Sequence, residues 1–240
     1  MFAKLLFLFT FSCCAFATPP KFDAYDGSAV IVDLNSSKKD VFGTYVDERL
    51  NPCSTFKILN SLIAIETNVV KDENETIAWD GKIREYAFWN KDHSMRSAIS
   101  VSTVWFYQEL AKRIGAKKMQ EMVAKVDYGN NDTSKTLIDF WLGNGSLKIS
   151  LNEQINFLSK FVQNKLPFST RSMAIVKDIL VLEKKENDIF SGKTGSCGGV
   201  GWFVGFIEKP QSTKAFAFAI KGKGASGVEA KRIAMEYLKR

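Results

Sequence analysis

Ser54 and Lys57 stand three residues apart in Pro52-Cys53-Ser54-Thr55-Phe56-Lys57, directly ahead of an apolar run containing Ile58, Leu59, Leu62, Ile63 and Ile65. On a helix that spacing sets a hydroxyl and an amine on one face, one turn apart. Pro52 suits a helix start, and the apolar run makes the following turns oily on most sides. A serine needs a base to become a nucleophile, and a desolvated lysine loses its charge and can act as one. Chance produces a lone S-x-x-K often, so its ordered company carries the weight. Ser102-Thr103-Val104, Tyr128-Gly129-Asn130 and Lys193-Thr194-Gly195 follow in that order. The last of these precedes a strand-like run, Gly201–Glu208, whose glycines let a ligand approach the backbone closely.

The elements that must position these groups can be sketched from periodicity. Ser28–Leu34 alternates and is β-branched, Asn35–Asp40 is turn-forming, and Val41–Val46 completes a predicted hairpin. Helical patterns are predicted over Ser54–Thr67, Ser102–Ile114, Lys117–Val126, Leu151–Gln163 and Thr170–Leu182. Gly115 fits a helix stop, and Ser150 with Glu153 a capping box. Two further strands, Gly201–Glu208 and Thr213–Lys221, lead to a last helix, Val228–Leu238. Strands at both ends and helices between them describe an α+β fold. The expectation is an antiparallel sheet drawn from both chain ends and flanked by helices. A mostly helical subdomain, roughly residues 65–169, would be inserted in it, with the active site at the seam.

Composition narrows the surroundings. The 240 residues are 45% hydrophobic and 25% charged, enough for a substantial core. Met1–Lys4 is positive, Leu5–Cys14 is apolar and too short to span a membrane, and Ala15-Phe16-Ala17 resembles a leader cleavage site. Residues 1–17 are therefore expected to be a signal peptide, leaving 18–240 as an exported, periplasmic catalytic domain with no membrane segment of its own. The net charge of +7 comes from scattered lysines without a base-stacking motif, so a solvated surface is expected and a nucleic acid partner is not. His93 is the single histidine and sits in a polar stretch. It reads as a surface residue, and no metal site is expected. Loss of the leader would remove Cys13 and Cys14 and leave Cys53 and Cys197, either as a disulfide or as two buried thiols. The oligomeric state is left open.

With Asp139-Phe140-Trp141-Leu142 added between the second and last motifs, the chain resembles a class D serine β-lactamase, an oxacillinase-type enzyme, from about Ser28 to the C-terminus. The resemblance implies a small-molecule β-lactam substrate and a serine acyl-enzyme, with antibiotic resistance as the outcome. Ser54 is then the nucleophile, and the backbone N–H groups of Ser54 and Ser196 form the oxyanion hole. Ser102 relays a proton to the departing ring nitrogen. Lys193, Thr194 and Gly195, with Val104, bind the substrate and its carboxylate. Trp105, Tyr128 and Leu142 wall the pocket. The resemblance also implies carboxylation of Lys57 (N6-carboxylysine), with carbon dioxide as the only co-reactant and no other cofactor. Phe56, Val104 and Leu142 would keep the lysine dry and Trp141 would donate its indole N–H to the new anion.

Two departures from the family pattern stand out. No arginine falls into register after the last strand, so Arg232 or Lys231 is expected to substitute as the carboxylate anchor. Cys53 and Cys197 occupy relative positions that are joined in some class A carbapenem-hydrolysing enzymes, which favours a Cys53–Cys197 disulfide. The rival readings are a β-lactam sensor module that acylates without turnover and a D,D-peptidase.

Overall fold

In the computed structural model, residues 18–239 are described; the predicted leader lies outside them. Six antiparallel strands form the main sheet: β1 (Asp26–Asp33), β2 (Lys39–Phe42), β5 (Val181–Lys185), β6 (Asp188–Cys197), β7 (Val200–Lys209) and β8 (Ser212–Lys221), in the order β2-β1-β8-β7-β6-β5. The N-terminal hairpin therefore docks on the last strand, so both chain ends build one sheet. A small second ladder pairs β3 (Thr76–Ile77) with β4 (His93–Ser94).

Alternation along β8 explains how helices cover both faces. Phe216, Phe218 and Ile220 point to the side of α7 (Gly227–Leu238), where they meet Ala230, Ile233 and Ala234. Ala215, Ala217 and Ala219 point the other way, into the larger core. Their small side chains leave room for α5 (Leu151–Val162), which carries Phe157, Leu158 and Phe161 into that core. Each large apolar side chain buried there contributes roughly 1.5–3 kcal/mol. The capping box that starts α5 is formed, with Ser150 accepting from the Glu153 N–H and Glu153 accepting from the Ser150 N–H.

A 3-10 turn, Cys53–Phe56, runs into α1 (Lys57–Glu66), and every residue from Cys53 through Ile65 is buried. This central helix is surrounded by α3 (Val104–Ile114), α4 (Ala116–Lys125) and α6 (Thr170–Ile179), with α2 (Met95–Ser100) leading into α3. Among the described residues, no helix is long and apolar enough to cross a membrane.

The α+β architecture is the one expected, but its sheet is wider. The predicted helix Thr170–Leu182 stops at Ile179, and Val181–Lys185 becomes edge strand β5. That strand is exposed along its whole length, so it shows no inside–outside alternation. β6 was also not distinguishable as a strand from its pattern. Ser191, Gly192, Gly195 and Ser196 have poor strand propensity, and it is pairing with β5 and β7 on either side that holds them extended. Ser102 and Thr103 lie outside α3, in the turn before it.

Candidate active site

The turn that carries Ser54 is fixed from several sides. The Cys53 N–H donates to the Trp141 carbonyl at 3.0 Å. Thr55 donates its hydroxyl to the Pro52 carbonyl at 2.7 Å and accepts from Gln154 Nε2 at 2.8 Å. Cys53 is bonded to Cys197, with Cα atoms 5.7 Å apart, which ties this turn to the end of β6. Gly195 supplies the close approach in between. A Cβ there would lie 3.0 Å from the Pro52 carbonyl oxygen and 3.1 Å from Thr55 Cγ2.

Ser54 keeps 9% of its surface exposed, while Lys57 has none. The Lys57 Nζ lies 2.6 Å from Ser54 Oγ. Burial, and secondarily the charge of Lys193, hold the Lys57 amine well below the usual lysine pKa. A neutral amine at that distance accepts the serine proton. Trp141 is completely buried and stacks on Phe56 with ring centroids 5.4 Å apart. Its indole N–H is buried and has no hydrogen-bond partner. An orphaned donor of this kind is costly and uncommon in a native interior, and it suits an acceptor that the bare chain does not provide.

Lys193 extends from β6 to the Ser102 turn, where its Nζ donates to Ser102 Oγ at 3.0 Å and to the Thr194 carbonyl at 3.0 Å. It is only 5% exposed. Burial first, and then the charge of Lys231, push its pKa down to about 7. Ser196, next to Gly195, accepts the Gly227 N–H on its Oγ at 2.7 Å, which locks the strand against α7.

The structure thus forms two hydrogen-bonded pairs, Lys57 with Ser54 and Lys193 with Ser102, near enough for the Lys193 charge to act on Lys57, and Gly195 lies against the turn that carries Ser54. Tyr128 is buried and packs edge-on against Phe56 and Phe157. Leu142 and Val104 are half-buried, Val104 as the first residue of α3. Three residues are placed differently from the sequence reading. Arg232 does not offer its guanidinium to a substrate, because Asp23, Glu229 and Glu236 hold it at 2.5, 3.0 and 2.8 Å. Lys231, by contrast, shares a cavity with Lys193, Thr194 and Phe203. Trp105, expected at the pocket mouth, is buried with its indole N–H on the Trp89 carbonyl at 2.7 Å. His93, expected at the surface, is 1% exposed. Its Nδ1 lies 2.9 Å from Ser97 Oγ and its Nε2 lies 3.1 Å from the Phe88 carbonyl. The polar neighbours of His93 conceal this, and the aromatic run Tyr86-Ala87-Phe88-Trp89 just before it gives no signal either, since Tyr86 and Phe88 are themselves exposed.

Comparison with known proteins agrees with this geometry. The family model of the penicillin binding protein transpeptidase domain matches residues 16–239. β-Lactamase OXA-20 of Pseudomonas aeruginosa is 41% identical over 197 residues, covering 81% of this chain and 74% of that protein. A crystal structure of a class D β-lactamase from Bacillus subtilis superposes with a TM-score of 0.87 at 37% identity, covering 91% of this chain and 92% of that one. The regulatory protein BlaR1 of Bacillus licheniformis is 36% identical over 227 residues, which make up 90% of this chain but 37% of BlaR1. This chain belongs to the class D β-lactamases, within the penicillin-binding transpeptidase family.

Proposed function

We propose that the protein hydrolyses β-lactam antibiotics through an acyl-enzyme on Ser54 and so confers resistance. The 2.6 Å contact between Ser54 Oγ and the fully buried Lys57 Nζ carries this reading. The lysine side chain takes the serine proton as Oγ attacks the strained amide carbonyl. Backbone N–H groups of Ser54 and Ser196 receive the developing oxyanion. Lys193 and Thr194 hold the substrate carboxylate by charge and hydroxyl hydrogen bond. Ser102, in contact with Lys193, hands a proton to the departing ring nitrogen.

The residues around Lys57 fit a carboxyl group on its Nζ. The buried neutral amine is the form that reacts with carbon dioxide, and a buried, unpartnered indole N–H on Trp141, which stacks on the neighbouring Phe56, supports the reading that this donor serves the new anion. When attached, that group supplies a carboxylate base for both the serine and the hydrolytic water. We also read residues 1–17 as a leader cut after Ala17 and the remainder as the periplasmic catalytic domain; a cross-linked Cys53–Cys197 pair accords with an oxidising compartment.

Mixing the protein with a large excess of penicillin tests the assignment. Sustained hydrolysis is expected. A single stoichiometric burst would instead identify an acylated sensor, and release of D-alanine from a peptide would identify a peptidase.

A further inference from the structure

Ser102 sits where a glycine normally would. Helix α2 ends in a Schellman turn: the Thr103 N–H donates to the Ala98 carbonyl at 2.9 Å and the Ser102 N–H to the Ile99 carbonyl at 3.3 Å. Ser102 occupies the left-handed position of that turn, with φ of +58°. A side chain is strained there, and such conformations persist where the surroundings over-determine them. The proton-relay role needs the hydroxyl in that location but does not explain what keeps it there.

Two residues outside the four motifs grip both flanks of Ser102. On one side, the Trp89 indole N–H donates to the carbonyl of Val101, the residue immediately before Ser102, at 3.0 Å. On the other, His93 Nε2 lies 3.5 Å from Oγ1 of fully buried Thr103, the residue immediately after it. The same imidazole nitrogen is 3.1 Å from the Phe88 carbonyl, and its Nδ1 reaches Ser97 within α2. Burial disfavours the charged ring, so the one proton sits on Nε2, which donates to the Phe88 carbonyl at 3.1 Å and shares that proton, more weakly, with Thr103 Oγ1 at 3.5 Å. Trp105 closes the loop, giving its indole N–H to the Trp89 carbonyl at 2.7 Å and packing its ring 5.9 Å from that of His93. The segment Phe88–Trp89 is thereby joined to the chain before Ser102, and through His93 and Trp105 to the chain after it.

We propose that Trp89 and His93 are positioning residues that hold Ser102 in its left-handed conformation, so that Oγ stays on Lys193 Nζ. Neither touches the reacting atoms; Trp89 acts through the Val101 carbonyl and His93 through the Thr103 side chain, on either side of the serine. The assignment rests on reading Ser102 as the proton relay in ring opening.

A double-mutant cycle on the acylation rate, measured by rapid quench with a penicillin, tests it. Trp89→Phe deletes the N–H and keeps a ring. In the parent protein it is expected to slow acylation by about 10- to 100-fold, the scale of a small misplacement of a reacting group. In a Ser102→Ala background the same change is expected to cost less than about 2-fold, because there is no hydroxyl left to misplace. Equal factors in both backgrounds would overturn the proposal. His93→Leu should behave like Trp89→Phe, and His93→Gln, which keeps a donor, should recover most of the rate. This pair carries the test if Trp89→Phe does not fold, and no difference between Leu and Gln would count against the proposal. If Ser102→Ala acylates at the parent rate, the relay reading fails. Positioning is then judged by a crystal structure of Trp89→Phe (or of His93→Leu): Ser102 Oγ is expected to leave Lys193 Nζ, and an unmoved Ser102 would refute it.

Discussion

Replacing Trp141 by phenylalanine separates two opposite effects of one N–H group. In the bare protein that donor is buried without a partner, a situation that costs about 1–3 kcal/mol. Phenylalanine removes the cost and keeps the contacts with Phe56 and Phe140. It forfeits packing on the order of two buried methylenes, about 1–2 kcal/mol. In bicarbonate-free buffer the variant should therefore be about as stable as the parent. Once Lys57 is carboxylated the sign reverses, because a hydrogen bond to a charged group contributes about 1.5–3 kcal/mol. Its loss weakens the affinity for carbon dioxide by about 10- to 150-fold. At a carbon dioxide level about 100 times the parent dissociation constant, linkage stabilises the parent by about 2.7 kcal/mol and the variant by only about 0.3–1.4 kcal/mol. For a chain of this size that is a rise in Tm of about 5–11 °C against about 1–6 °C. Thermal melts at pH 8 with and without bicarbonate measure both numbers. Pre-steady-state deacylation should fall in parallel in the variant. An equal bicarbonate shift in both proteins would refute the assignment of Trp141 as the donor, and no shift in either would refute carboxylation.

Three other expectations follow from neighbouring contacts. Lys193 titrates near 7 in the fold against 10.5 for an ordinary lysine, so between those values the unfolded chain binds the extra proton. The shift costs nothing above about pH 10.5, where the lysine is neutral in both states, and opposes folding increasingly as pH falls toward 7; a Lys193→Met variant should gain on the parent in urea midpoint from pH 10 to pH 7, and a constant difference would contradict this. Replacing both Cys53 and Cys197 by serine opens a loop closed across 144 residues, which removes at most about 5 kcal/mol by the chain-entropy model; chemical denaturation checks it, and an unchanged midpoint would show that the cross-link restrains little. Gly195→Ala forces β6 away from the Pro52 carbonyl and is expected to slow acylation by about 10- to 100-fold with a much smaller effect on Tm, whereas a parent-like rate would mean the strand has slack.

The candidate reacting groups were more legible in the sequence than the framework around them. Ser54 and Lys57 could be placed together because a helical turn alone dictates their spacing. Lys193 and Ser102 needed the ordered motifs, since 91 residues separate two side chains that end in hydrogen-bond contact. Strands of the sheet were legible where they alternate, as in β1 and β8, and lost where they do not. β5 is exposed throughout and β6 is rich in serine and glycine, so tertiary pairing overrides local preference in both. His93 was misplaced for a related reason. Its neighbours in sequence are polar, but its neighbours in space are Trp105, Thr103 and the Phe88 carbonyl, brought together by the small β3–β4 ladder. Arg232 was a plausible anchor by charge alone, and only the three carboxylates around it show that it fastens α7 to the N-terminal segment instead.

The complete burial of Lys57 has a kinetic side. Any small molecule that reacts at its nitrogen, or leaves it, must wait for the packing of Phe56, Tyr107 and Trp141 to breathe. On the carboxylation proposed above, reaction of carbon dioxide with Lys57 is then expected to be limited by opening fluctuations rather than by collision. An enzyme emptied by acid and returned to neutral pH should regain activity with a lag, and mutations that loosen these three rings should shorten that lag even where they weaken the fold.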